Sequence, residues 1–200
     1  WDMSTVQEAS DLREEARRRG VKYHFGRVAE LCFLKGSELP EGDPDRVYKG
    51  RHVFLGDQVK DEDFEAAKFE NLGSAPASVG ATRAVQAVSC TPGYEGIQAD
   101  GYSAYTQSFL GRIAGGGTLT WVAIPPHRWP PEWVGKYRSP MVRLVLALYG
   151  HPDAGTYWEE ACTERVKSVG WKPIEGWPSC FVHPEKHAVL VIYVDDFSMA

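Results

Sequence analysis

Residues 189–194 read Val-Leu-Val-Ile-Tyr-Val and run straight into two adjacent carboxylates, Asp195 and Asp196, with no basic residue beside them. Two acids at the end of an apolar strand repel each other and resist desolvation unless something cationic sits between them. A divalent metal ion meets that need. The alternative is a polar hairpin turn, which Asp also favours. As a unit, Tyr193-Val194-Asp195-Asp196 is uncommon: average usage gives it in a chain of this length on the order of once in a thousand. A third carboxylate, Asp100, ends another short strand-like stretch over residues 94–100.

Several elements are expected to position these groups. The run over 189–194 fits a buried strand, preceded by a strand from about residue 177 and a turn at 183–186. Residues 78–90 carry Ala81, Ala84, Val85 and Val88 at helical spacing, stopped by Pro92-Gly93, with Arg83 in the middle. Residues 101–110 read as a further helix carrying Ala104, Tyr105 and Phe109. Pro152 suits a helix start, followed by an apolar stripe of Tyr157, Ala161, Cys162, Val166 and Val169 that ends at Gly170. Residues 144–149 read as an apolar strand.

Upstream, residues 4–19 read as a helix with a capping box at Ser4 or Thr5, an apolar face of Val6, Ala9, Leu12 and Ala16, and Gly20 as its stop. Its arginines, Arg13 among them, read as a solvated face. Residues 21–35, bulged at Gly26, and residues 47–55 read as a long hairpin across a loop at 36–46. Lys49 and Arg51 then lie two apart on one strand face, either to meet phosphates or to guard an edge strand. Residues 118–140 hold Trp121, Trp129 and Trp133 among prolines, which fits a stacking platform for bases or a surface excursion. The glycines at 115–117 invite a phosphate-loop reading, but no Gly-Lys-Ser/Thr follows, so a turn is expected.

The totals narrow the class. The 200 residues are 43% hydrophobic and 24% charged, which suits one core or two small lobes. No apolar run approaches the ~20 residues that span a bilayer, so no membrane partner is expected. The opening residues lack a basic and an apolar leader region. A chain that starts at Trp1 and stops four residues after Asp196 reads as an excerpt of a longer protein. Cys32, Cys90, Cys162 and Cys180 show no C-x-x-C pairing and read as reduced thiols in an intracellular protein, cytoplasmic or nuclear. Cys180, His183 and His187 have zinc-like spacing, but Pro184 and the flanking apolar runs favour a hairpin turn. A net charge of −5 argues against a generic nucleic-acid binder.

Taken in order, these pieces resemble the reverse-transcriptase domain of copia-type LTR retrotransposon polyproteins. Tyr48-Lys49-Gly50-Arg51-His52-Val53 is similar to the family's Y-K-A-R-L-V. Arg83, seventeen residues before Asp100, matches the family's arginine, and Gln98-Ala99-Asp100 with Ala104-Tyr105 resembles Q-M-D-V-K-T-A-F. Ala147-Leu148-Tyr149-Gly150 and Trp158 fit A-L-Y-G-L-K-Q-A-P-x-x-W-Y, and Tyr193-Val194-Asp195-Asp196 is identical to the terminal motif. The resemblance implies an α+β right-hand polymerase fold with an antiparallel palm sheet. A helical lead-in would occupy 1–19, fingers about 20–88 and 118–152, and palm about 89–117 and 153–200.

It also implies RNA-directed DNA polymerase chemistry with two Mg²⁺ ions, or Mn²⁺ in their place, held by Asp100, Asp195 and Asp196. Lys49, Arg51 and Arg83 would meet triphosphate or template phosphates. Tyr105 would stand against the sugar's 2′-hydroxyl, and Asp153 would occupy the place of the family's nucleotide-facing Gln. The partners implied are an RNA or DNA template–primer and a dNTP, with integrase and ribonuclease H in the parent polyprotein. Asp153 accepts hydrogen bonds where Gln can also donate, and Gly101-Tyr102-Ser103 replaces Val-Lys-Thr. Those departures, with the acidic charge and the missing thumb, leave open an inactive retroelement remnant that binds nucleic acid or protein. A metal-dependent nuclease or phosphatase using the same carboxylates is a more distant alternative, since no His is positioned beside the Asp pair. The truncated chain alone is expected to be inactive or nearly so.

Overall fold

The computed structural model describes residues 1–69, 73–110 and 117–200. Among these the chain is mixed α+β, with three α-helices and two five-stranded sheets. It divides into two compact units, Trp1–Lys68 with Leu110–His151 and Phe69–Phe109 with Pro152–Ala200. No helix among the described residues is long and apolar enough to cross a membrane.

In the first unit the sheet runs β1 (Asp2–Glu8), β6 (Pro140–Arg143), β5 (Leu119–Ala123), β2 (Tyr23–Lys35), β3 (Val47–Phe54). The expected hairpin is present, with Val28 opposite Phe54 and Lys35 opposite Val47. Residues 4–8, expected to be helical, are strand instead, and helix α1 covers only Ala9–Arg19. Glu8 precedes the helix without a side-chain cap, while pairing of Gln7 with Met141 and Glu8 with Pro140 holds the strand. Long-range pairing has overridden the local capping pattern. Gly20, at φ 63°, ends α1 as expected.

Leu12, Ala16, Tyr23, Phe25, Trp121 and Met141 form this unit's core. Arg13 belongs beside it rather than in solvent. It is 8% exposed, its guanidinium lies 4.0 Å from the Phe25 ring centroid and 3.9 Å from that of Phe64, and it donates to the Asp61 carbonyl. The bulge expected at Gly26 is absent, since Tyr23 to Arg27 pair in unbroken parallel register with Leu119 to Ala123. That glycine serves close packing, because a Cβ there would overlap the Phe54 ring. The strand expected over 144–149 forms earlier, as β6, and Trp121 and Trp133 are buried, which removes them from any stacking platform.

The second unit is an antiparallel sheet in the order β4 (Ile97–Asp100), β10 (Asp196–Met199), β9 (Ala188–Tyr193), β8 (Cys180–His183), β7 (Lys172–Pro173). Helix α2 (Val79–Ser89) covers one face through Ala81 and Val85 against Cys180, Val191 and Ala200. Helix α3 (Ala154–Ser168) covers the other through Trp158 and Cys162 against Phe181, Leu190 and Ile192. Ser78 caps α2, its hydroxyl accepting from the Ala81 amide at 3.1 Å.

The 88/89 boundary drawn from sequence is therefore displaced: α2 packs with the second sheet. The helix expected over 101–110 is a single 3-10 turn at Ala104–Gln107. Gly115 and Gly116 lie outside the described residues. Cys180 and His183 fall on opposite sheet faces, as three-residue spacing in a strand requires. No three His, Cys, Asp or Glu side chains among the described residues form a metal-holding group, the Cys180–His183–His187 trio included.

Candidate functional site

The site is built where three strands end together. Strands β9 and β10 are joined by a two-residue turn, Val194-Asp195, because Tyr193 pairs directly with Asp196. On its other side Asp196 pairs directly with Asp100 of β4. Tyr193, Asp196 and Asp100 thus form one row across three strands, with side chains on a common face. Ninety-six positions apart in the chain, two carboxylates are set opposite one another by register alone. It is Asp196 that faces Asp100; Asp195 occupies the turn itself.

Facing residues on antiparallel strands have Cβ atoms about 4.5–5.5 Å apart, and like charges so placed destabilise the sheet. Among the described residues none of the three aspartates forms an ion pair that would offset this. Asp100 and Asp196 are exposed and Asp195 is half-buried. Their oxygens match what Mg²⁺ or Mn²⁺ takes, although the side chains as they stand do not converge into a three-ligand group. A groove with an empty volume of about 1130 Å³ runs beside the row, lined by Val79, Thr82, Gln98, Asp100, Tyr193 and Asp196.

The turn is held in an unusual backbone state. Val194 has φ 56°, a left-handed value that costs a β-branched residue about 1–3 kcal/mol. Both turn carbonyls are tied. The Gly101 amide donates to the Asp195 carbonyl at 2.6 Å, and the Trp158 indole N–H donates to the Val194 carbonyl at 2.6 Å. Gly101 leaves little room for a side chain, since a Cβ there would lie 3.3 Å from the Asp195 carbonyl oxygen and 3.3 Å from the Phe197 ring.

Tyr105 is half-buried against the α3-side core and, with Trp158, Ile192 and Val194, lines a small cavity under the same turn. Arg83 is exposed on α2, four residues after the groove-lining Val79 and next to Thr82, so it sits beside the groove wall. Asp153 directly precedes α3 and is only 6% exposed.

Lys49 and Arg51 belong to the first unit, exposed on β3 opposite Phe33 and Leu31. The Arg51 guanidinium lies 5.6 Å from the ring centroids of both Phe33 and Tyr149. Because β3 is the sheet's edge, these charges also guard it against strand addition.

Two participants escaped the sequence reading. Trp158 was noted only as a motif match, yet a buried indole needs an acceptor, and the turn supplies one. The strain at Val194 had no signal, because valine is not a residue that announces a left-handed turn.

Neither a protein-family model, nor a curated protein, nor a solved structure matches the chain.

Proposed function

We propose that the chain is the fingers-and-palm part of an RNA-directed DNA polymerase of the copia-type retroelement kind, the second unit serving as palm and the first as fingers. The observation that carries the reading is the row Tyr193–Asp196–Asp100, closed by a strained turn that presents Asp195. Unrelieved like charge in exact opposition is a liability for a sheet and an asset for a cation site. Asp100, Asp195 and Asp196 would hold the divalent ions. Bound there, such ions supply Lewis acidity toward the primer 3′-hydroxyl and neutralise charge on the triphosphate. The protein's own part is to fix carboxylate positions by register and to offer the groove beside them. Tyr105 lies under the turn on the α3 side of the sheet, the face opposite the Asp100–Asp196 row, so a nucleotide held by the carboxylates would meet its ring only around the strand ends. Arg83 adds a cation beside the groove, and Lys49 and Arg51 offer cations flanked by apolar surface.

Primer extension by the full-length protein on an RNA template in Mg²⁺ tests this, with Asp195→Asn as the control. Extension that the control abolishes supports it. A second reading, an inactive remnant that still binds template–primer, is favoured by the side chains' failure to form a three-ligand group. Binding without extension would select it.

A further inference from the structure

The deepest feature of the site is how the turn stays where it is. A two-residue turn whose first residue is valine at φ 56° would relax if nothing held it. Relaxation would rotate the peptide between Val194 and Asp195 and re-aim both carboxylates. The Asp195 carbonyl is fixed within the sheet by Gly101, but the Val194 carbonyl has left the ladder. Its partner is a side chain, the Trp158 indole N–H at 2.6 Å.

Trp158 itself is well supported. It is 5% exposed, sits in the first half of α3 and packs with Ala104, Cys162, Phe181 and Ile192. On one flank it borders a small cavity shared with Tyr105 and Val194, with room for little more than a water. Packing holds the body of the ring, and the hydrogen bond to Val194 ties its edge to the turn. The bond is partly buried, and losing it takes from the Val194 carbonyl its partner in the protein.

We infer that Trp158 is a positioning residue: its indole N–H holds Val194 in the left-handed conformation and thereby sets the direction in which Asp195 and Asp196 present their carboxylates. This rests on the reading of those aspartates as a cation site. It goes beyond that reading by assigning the geometry of the site to a donor on a different element, one that touches neither ion nor substrate.

The test uses the full chain, with Mn²⁺ as the probe and free Mn²⁺ followed by electron paramagnetic resonance. Trp158→Phe keeps an aromatic ring and removes the donor. Its expected effect is a weakening of Mn²⁺ binding by about tenfold, the scale seen when an orienting partner of a ligand is lost. Val194→Gly in the Trp158→Phe background is expected to restore most of the affinity, because glycine takes a positive φ without being held. A general loss of packing would not be rescued that way. Amide resonances of residues 193–197 should shift in Trp158→Phe and return toward wild type in the double variant.

Unchanged Mn²⁺ affinity in Trp158→Phe, or an equal loss whether residue 194 is valine or glycine, overturns the assignment. Should Asp195→Asn and Asp196→Asn leave Mn²⁺ binding unaltered, the cation reading fails instead. The anchor is then decided by the amide spectra: shifts confined to the turn and reversed by Val194→Gly uphold it, and an unchanged turn refutes it.

Discussion

Replacing Asp196 by asparagine should make the protein more stable when no divalent cation is present. Surface substitutions at strand ends rarely stabilise, so the sign is informative. Asp196 stands directly opposite Asp100, and none of the described cations forms an ion pair with either. At about 5 Å, two unit charges repel by about 0.8 kcal/mol at the dielectric of water and about 3 kcal/mol at an effective dielectric of 20. Both side chains are exposed, so the lower figure applies, and physiological salt with a Debye length of about 8 Å roughly halves it. Asparagine keeps the shape and removes the charge.

The expected gain in low salt is therefore about 0.5–1 kcal/mol, or about 1–4 °C in Tm if the whole chain unfolds together. Adding Mg²⁺ should reverse the order. Wild type gains about 1.4 kcal/mol at ten times its dissociation constant, whereas the variant gains little. Urea unfolding at 20 mM and 500 mM NaCl, with and without Mg²⁺, reads all of this. A variant less stable than wild type at low salt, or a wild type indifferent to Mg²⁺, would refute the reasoning.

Three further outcomes are expected. Tyr105→Ala in an active polymerase should admit ribonucleotides, read as the ratio of rNTP to dNTP incorporation; unchanged discrimination removes Tyr105 from the sugar site. Gly150→Ala should destabilise the first unit by about 3 kcal/mol or more, since Gly150 has φ 86° and an added Cβ would overlap the Phe54 carbonyl oxygen, which backbone cannot yield; denaturant midpoints measure it. Burial, with His24 nearby, pushes the His151 imidazole down to about 3, so the unfolded chain binds the extra proton between about pH 6.5 and 3 and stability falls as pH drops through that window. His151→Gln should flatten that decline by up to about 1.4 kcal/mol per pH unit, measured by unfolding at stepped pH.

What could be read from the sequence was whatever is decided locally. Six apolar residues ending in two acids gave β9 and its turn, and Ser78 with Ala81 and Val85 gave α2 and its buried face. The hairpin of β2 and β3 followed from two extended runs across a Pro/Gly loop. What could not be read was decided at a distance. Residues 4–8 look like a helix cap, but pairing with β6, more than 130 positions away, makes them a strand. Arg13 looks solvated in a basic helix until Phe25 and Phe64 close around it. At the site, residue types announced the carboxylates, while their opposition depends on β4–β10 register, which no local pattern encodes. The displaced unit boundary at residue 88 has the same origin: α2 precedes the second sheet's strands in sequence yet packs under them.

Gly101 is fixed by what stands around it. Replacing a glycine next to a strand end by valine would ordinarily be expected to stabilise, because glycine has more unfolded-state freedom to lose. At this position the balance reverses. The Gly101 amide must approach the Asp195 carbonyl to 2.6 Å, and a Cβ would meet that oxygen and the Phe197 ring at 3.3 Å each. Valine adds two methyl groups to that crowding, an overpacking cost of about 1–3 kcal/mol, against about 0.5–1 kcal/mol recovered from glycine's unfolded-state freedom. Gly101→Val should therefore lower stability, and Phe197→Leu should reduce the loss, because the ring can yield while the carbonyl cannot. A double-mutant cycle by urea unfolding gives the coupling between the two positions. If Gly101→Val instead stabilises the protein and shows no coupling to Phe197, then β4 and the turn do not meet as described, and the opposition of Asp100 and Asp196 goes with them.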